Sequence, residues 1–118
     1  MTDNARLLRL RAEEASAALR AANHATFRET VTVPDVYDLV GDLDDLVRRL
    51  PQLFGFLGRS VERAPGRYFD DRGNNPAATL QAAAHALAEA TGYVDLVAVQ
   101  LATTQVHLGH IGLVIAED

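Results

Sequence analysis

The sequence has no cysteine, no lysine and no tryptophan among its 118 residues. Without cysteine, the chain can form neither disulfides nor thiolate metal sites, so nothing requires an oxidising compartment. The absence of lysine rules out a phosphate loop that ends in Gly-Lys-Ser/Thr. We therefore expect a cytoplasmic protein that holds its fold together without covalent cross-links.

Charge is scarce in the C-terminal part of the chain, where only Glu89 and Asp95 are charged between residues 73 and 116. An uncharged stretch at residues 96–116 allows a membrane span as an alternative, but Gln, Thr and His occur on every helical face and argue against it. The formal net charge is −5. Nucleic acid is therefore an unfavoured partner, since an acidic surface repels phosphate.

The pattern predicts a first helix over residues 3–23, capped by Thr2 or Asp3. One helical stripe joins Leu8, Ala12, Ala15, Leu19 and Ala22. Arg9 and Glu13 are four residues apart and should pair at the surface. Charged residues interrupt the apolar run that a signal peptide would need, so we expect none. They are Arg6, Arg9, Arg11, Glu13 and Glu14.

A second helix is predicted to begin after Thr32, with Pro34 in its first turn and Asp35 reaching back to the cap. Three apolar rows repeat every seven residues, as in a core-facing bundle helix. The rows are Val36, Leu43, Leu50 and Leu57; Leu39, Leu46 and Leu53; and Val40, Val47, Phe54 and Val61. Because all rows keep phase across Pro51, one helix kinked there is favoured over a break at Leu50.

Asn75 and Pro76 open a third helix with a cap and a first-turn proline. Its heptad predicts a coiled-coil-like helix of about forty residues. The heptad consists of Leu80, Leu87, Val94, Leu101, Leu108 and Ile115. A strand pair within residues 93–115 is the alternative, but strict alternation fails there, and Gly109 and Gly112 would weaken strands.

These elements predict an all-α protein in which residues 1–118 form a single domain, an antiparallel bundle of three long helices. The turn-rich loop at residues 64–74 should reverse the chain between the second and third helices. We expect the leucines of the second helix to face the heptad of the third. The pairing places Leu43, Leu46, Leu50 and Leu53 against Leu87, Val94, Leu101 and Leu108.

No catalytic constellation is visible, so the chain is predicted not to be an enzyme and to bind no cofactor. His107 and His110 share a helical face, but no carboxylate ligand stands near them and a metal site is not expected. The run from Asp70 to Asn75 lacks the alternation and the terminal glutamate of a calcium loop. It is interpreted as a solvated turn.

The third helix lacks the charged outer face of an exposed bundle helix, so we expect it to be covered by a second copy of the chain or by a partner protein. A homodimer is the favoured prediction, with Gly109 allowing close approach of a second helix. Two aromatic residues in the loop at one bundle end add a possible docking point. The predicted interface is Val99, Val106, Leu113, Gly109, Tyr68 and Phe69.

The stretches VPDVYDLVGDL at residues 33–43 and RLPQL at residues 49–53 resemble small uncharacterised helical proteins of actinobacteria, some of them associated with plasmid-like or integrative elements. The resemblance implies no known activity. The Trp-x-Gly turn of small helical-hairpin secretion substrates is absent, because the chain has no tryptophan.

Two functions remain as hypotheses. The first is a protein-interaction or scaffolding module that self-associates or docks a partner through the long C-terminal helix. The second is a helical regulator linked to a mobile element, which would contact nucleic acid through the arginine-rich N-terminal helix. That helix carries Arg6, Arg9, Arg11 and Arg20.

Overall fold

The computed structural model describes residues 2–26, 30–64 and 66–115, and within these residues it contains three α-helices and no strand. The helices are α1 (Asp3–Ala25), α2 (Val33–Glu62) and α3 (Pro76–Leu108). The predicted all-α class is confirmed. The chain divides into two compact units, residues 1–32 with α1 and residues 33–118 with α2 and α3. The single domain therefore stays a prediction, and Pro65, placed by the sequence in the turn after α2, lies outside the described residues.

Helix α1 is held by local interactions, and none of its residues is buried. Thr2 caps it as predicted, because its hydroxyl accepts a hydrogen bond from the Ala5 N–H at 3.0 Å. The expected pair of Arg9 and Glu13 forms at 4.0 Å. The helix continues to Ala25, two residues beyond the predicted end.

Helix α2 runs through Pro51 without a break, so the prediction of one helix is confirmed and the alternative break at Leu50 is wrong. A kink at Pro51 stays a prediction. Two ion pairs at four-residue spacing lie along the helix: Asp44 with Arg48 at 3.0 Å, where the Asp44 side chain is only 19% exposed, and Asp45 with Arg49 at 3.3 Å, where both side chains are largely exposed. An exposed pair of the second kind stabilises a helix by only about 0.3–0.5 kcal/mol. The persistence of α2 therefore depends mainly on packing.

Helix α3 begins as predicted, since the Asn75 side chain accepts a hydrogen bond from the Ala77 N–H at 3.0 Å and Pro76 lies in the first turn. It spans 33 residues rather than the predicted forty or so, because it ends at Leu108 with Gly109 as its C-terminal cap. Glycine in a helix interior costs about 1 kcal/mol relative to alanine. Gly109 and Gly112 lie three residues apart, and Ile115, the last member of the heptad, falls beyond the helix end.

Helices α2 and α3 pack antiparallel, as predicted. At one end, the Gln105 side-chain N–H donates to the Tyr37 carbonyl oxygen at 3.3 Å. At the other end the backbones come close, since a Cβ atom on Gly58 would lie 3.9 Å from the Ala84 carbonyl oxygen. The start of α2 therefore lies beside the end of α3, and the end of α2 beside the start of α3.

The contact face of α3 is a stripe with alternating steps of four and three residues, in which Ala84 and Ala98 are 5% and 4% exposed. We call it the α3 contact stripe. Its members are Leu80, Ala84, Leu87, Thr91, Val94, Ala98, Leu101, Gln105 and Leu108. The heptad residues predicted to face α2 all belong to it. Two alanines are the deepest positions, which lets the two helix backbones approach closely.

The contact face of α2 differs from the prediction. Val40 is buried, and the other members of its row, Val47, Phe54 and Val61, are half-buried. Leu50 and Leu53 are half-buried as well, but Leu43 and Leu46 are exposed, so their predicted place in the core is wrong. A helix turns only one stripe towards a single neighbour, and here that stripe is centred on the valine row.

Replacing Ala98 by leucine should lower the free energy of unfolding by about 1–3 kcal/mol, because a larger side chain overpacks a closed contact. The same change at Ala88, which is exposed on α3, is the matched control and should shift stability by less than about 0.5 kcal/mol. Urea unfolding followed by circular dichroism measures both variants. Equal stability of the two would contradict the close approach of α2 and α3 at Ala98.

Candidate interaction surface

A row of apolar side chains follows α2 beside the face that contacts α3. We call it the leucine seam; it consists of Val36, Leu39, Leu43, Leu46, Leu50, Leu53 and Leu57. Steps of three and four alternate along its whole length, which is the pattern of a coiled-coil face. Four of its leucines are 38–49% exposed: Leu39, Leu43, Leu46 and Leu57. The seam spans about 30 Å at 1.5 Å per residue.

Four of these leucines, Leu43, Leu46, Leu50 and Leu53, were predicted from the sequence to face α3. The relevant signal was already present in the sequence. Two of the three apolar rows of α2 consist almost wholly of leucine, and together they form the seam with its alternating steps of three and four. The third row, which contacts α3, consists of Val40, Val47, Phe54 and Val61. Two adjacent apolar faces on one helix indicate two neighbours.

Helix α3 also exposes apolar side chains away from α2. Tyr93, Leu96 and Val99 are more than half exposed, and so is Val106. Val99 and Val106, both predicted interface residues, therefore do share a helical row open to solvent. The third member of that predicted row, Leu113, lies beyond the end of the helix, and Gly109 is the helix cap. The helical part of the predicted row ends at Val106.

The six predicted interface residues do not form one cluster. Gly109 lies beside Tyr37 at the start of α2, because a Cβ atom on Gly109 would be 3.5 Å from the Tyr37 ring. Tyr68 and Phe69 lie in the loop between α2 and α3, at the opposite end of the antiparallel pair. The length of α3, about 50 Å at 1.5 Å per residue, separates the two groups.

The loop between α2 and α3 is ordered around the Asp70 carboxylate, whose side chain is 2% exposed. It accepts hydrogen bonds from the Arg72 N–H at 2.7 Å, from the Arg72 guanidinium at 2.8 and 3.1 Å, and from the Thr79 hydroxyl. Gly73 closes the turn with φ +82°, a conformation that favours glycine. The loop is thereby tied to the first turn of α3.

The same hydrogen bonds lower the pKa of Asp70. Those from the Arg72 side chain, then from the Thr79 hydroxyl and the Arg72 N–H, hold the pKa of Asp70 well below its usual range. The solvated turn predicted from the sequence is therefore an organised loop with a buried carboxylate. It presents Phe69, which is 84% exposed, at the tip of the helical pair. A shallow depression between Phe69 and Thr79 is lined by charged side chains.

Part of the positive charge of α1 is neutralised within the helix. Arg9 pairs with Glu13, and Arg11 binds the Glu14 carboxylate at 2.9 Å. Of the four arginines predicted to contact nucleic acid, Arg6 and Arg20 have no carboxylate within 4 Å among the described residues. Phosphate binding scales with the number of basic groups available, so this surface is a weak candidate for nucleic acid.

The histidines lie at the exposed end of α3, with His107 in its last turn and His110 beyond it. In the described part of the chain, no three His, Asp or Glu side chains come together as metal ligands would. His85, also on α3, binds the Glu89 carboxylate at 3.1 Å. Among the described helices, none is long and apolar enough to span a membrane.

Comparison of the chain with protein families, with characterised proteins and with solved structures gives no match. The resemblance to helical proteins of actinobacteria therefore stays a prediction.

The low pKa of Asp70 has a measurable consequence for stability. Folding favours the charged form, so Asp70 contributes stability above its unfolded pKa of about 3.9, and this contribution falls as pH decreases below that value. Asp70→Asn should destabilise the protein at pH 7, and the difference from the parent chain should shrink as pH falls below about 4. Asp71→Asn, at the exposed neighbour, is the control. A difference that stays constant from pH 7 to pH 2 would contradict the assignment.

Proposed function

We propose that this protein is a protein-interaction module that self-associates, as a homodimer, through an apolar face of its α2–α3 helical pair. The observation that carries the proposal is that each of these helices contacts the other along one stripe and exposes a second apolar stripe. The exposed stripes are the leucine seam on α2 and the row with Val99 and Val106 on α3.

The exposed apolar side chains of α2 and α3 favour association, because an interface would remove them from water. Each exposed leucine that moves from water into an interface gains free energy in proportion to the area buried, at about 25 cal/mol per Å². Continuous apolar stripes of this length are uncommon on monomeric proteins and usually mark interfaces. Organised helices on a rigid antiparallel scaffold also lose little conformational entropy on binding, which favours association.

A scaffolding role in which α2 and α3 dock a different protein uses the same surfaces, and the sequence expectation of a cytoplasmic location belongs to this proposal. The nucleic-acid alternative gains no support from α1, because two of its four arginines are paired with glutamates. Retention on heparin that weakens steeply with salt would favour that alternative instead.

The proposal predicts that the purified chain has twice its monomer mass at micromolar concentration and dissociates on dilution. Light scattering and sedimentation equilibrium measure this directly. The dissociation constant of the dimer should change only modestly between 0.1 and 0.5 M salt, because apolar contacts dominate the interface and are not screened by salt. A monomer mass at all concentrations up to about 100 μM would overturn self-association.

A further inference from the structure

We propose that the leucine seam of α2 is occupied by the leucine seam of a second copy of this chain, with the two α2 helices antiparallel about a two-fold axis. This inference rests on the proposed function, since it specifies the face and the geometry of the self-association. It differs from the sequence prediction, which placed Val99, Val106 and Leu113 at the dimer interface.

The composition of the leucine seam favours a second copy of the seam as its occupant. It contains six leucines and one valine and no polar residue over three heptads. Leucine at these positions inserts into holes formed by four side chains of a facing helix, and a facing helix with the same repeat offers such holes wherever the two seams overlap. A second leucine seam is therefore an occupant of matching chemistry.

The distribution of charge along α2 favours the antiparallel direction of pairing. The first half of the helix carries five aspartates: Asp35, Asp38, Asp42, Asp44 and Asp45. The second half carries three arginines, Arg48, Arg49 and Arg59, and a single acidic residue, Glu62, at its end. A parallel pair would place the five aspartates beside those of its partner. An antiparallel pair places the acidic half of each helix beside the basic half of the other.

Two charged residues beside the leucine seam specify the register of the pair. Asp42 and Arg49 are seven residues apart and flank the seam on the side away from α3, opposite the flank that carries Val40 and Val47. Equivalent flanking positions face one another in an antiparallel helix pair. If Leu43 packs against the partner's Leu46, Asp42 lies beside the partner's Arg49, and symmetry repeats this pair. A shift by one heptad would instead bring Arg49 beside its own copy.

The charges at these positions are available for such pairs. No ion pair within the described residues engages Asp42. Arg49 contacts Asp45 at 3.3 Å, but its side chain is three-quarters exposed and the guanidinium can bind a second carboxylate. The proposed register therefore adds two symmetric ion pairs at the edge of the seam.

Helix α3 does not obstruct this arrangement. On α2, the seam residues Leu39, Leu46 and Leu53 each precede a residue of the face that contacts α3. On α3, the residues that directly precede members of the α3 contact stripe turn towards the same side of the antiparallel pair as the leucine seam. They are Thr79, Ala83, Ala86, Ala90, Tyr93, Val97, Gln100, Thr104 and His107. None of them is Asp, Glu or Arg, so this side of α3 brings no charge repulsion against a second helical pair packed as a four-helix bundle.

Charge reversal tests the register, with the dimer dissociation constant measured by sedimentation. Asp42→Arg alone and Arg49→Asp alone each create two like-charge contacts across the two-fold axis and should weaken the dimer roughly tenfold. The double variant Asp42→Arg with Arg49→Asp restores opposite charges and should return to within about threefold of the parent chain. Arg48→Asp is the matched control, because it also removes an ion pair within α2, at 3.0 Å, but lies away from the seam.

Two further variants separate the faces. Leu46→Glu should abolish the dimer while far-UV circular dichroism shows unchanged helicity, and Val106→Glu should leave the dimer intact. If Val106→Glu splits the dimer and Leu46→Glu does not, the leucine seam is not the interface, although the proposed function still stands. If the double charge variant dimerises more weakly than either single variant, the proposed register is wrong. A parent chain that is monomeric at every concentration would overturn both proposals.

Discussion

The close approach of α3 to α2 at two alanines is the contact on which the rest of the α2–α3 unit depends. Ala84 and Ala98 are among the most buried residues in the described part of the chain, and no large side chain there is fully buried. Because α3 offers small side chains at these positions, α2 meets it with Gly58 and with the row that begins at Val40, while Leu50 and Leu53 are only half-buried. The leucines are left at the edge of the contact, where one helical neighbour cannot cover them.

The loop between α2 and α3 helps to select one register of the two helices. An antiparallel pair could slide by a turn if only apolar stripes were in contact, since a heptad repeats its own pattern. Asp70 ties the loop to Thr79 in the first turn of α3, and Gln105 binds the Tyr37 carbonyl oxygen at the far end. Polar contacts at both ends therefore select one register, while the apolar stripe supplies most of the stabilisation. The leucine seam therefore lies on a helix whose register against α3 is defined.

Local signals in the sequence predicted the helices well, because Thr2, Asn75 and Pro76 act within one turn of the chain. Continuity of α2 through Pro51 also followed from the phase of its apolar rows. The partner of each row could not be predicted, since periodicity shows that α2 has three apolar rows but not which of them α3 takes. That choice depends on side-chain size across the contact, at Ala84 and Ala98.

The length of α3 was overestimated for a different reason. The heptad pattern of apolar residues continues as far as Ile115. The helix ends earlier because glycine at positions 109 and 112 makes helix formation less favourable in free energy. The role of Asp70 was missed because its partner Thr79 is nine residues away, and no short motif links the two. For the candidate interface, the sequence provided the leucines and the expectation of a dimer, whereas the burial of α2 and α3 was needed to identify the open face.

The most direct test of the seam is disulfide cross-linking, since the parent chain has no cysteine and each variant would carry one thiol. Leu39→Cys and Leu50→Cys variants, one with a mass tag, are mixed and oxidised under mild conditions. Antiparallel pairing with Leu43 against the partner's Leu46 places these two positions opposite each other, so the account predicts predominantly the mixed disulfide. Predominance of the two symmetric disulfides, which a parallel pair would form, or no disulfide above that of a Gln81→Cys control, would contradict it.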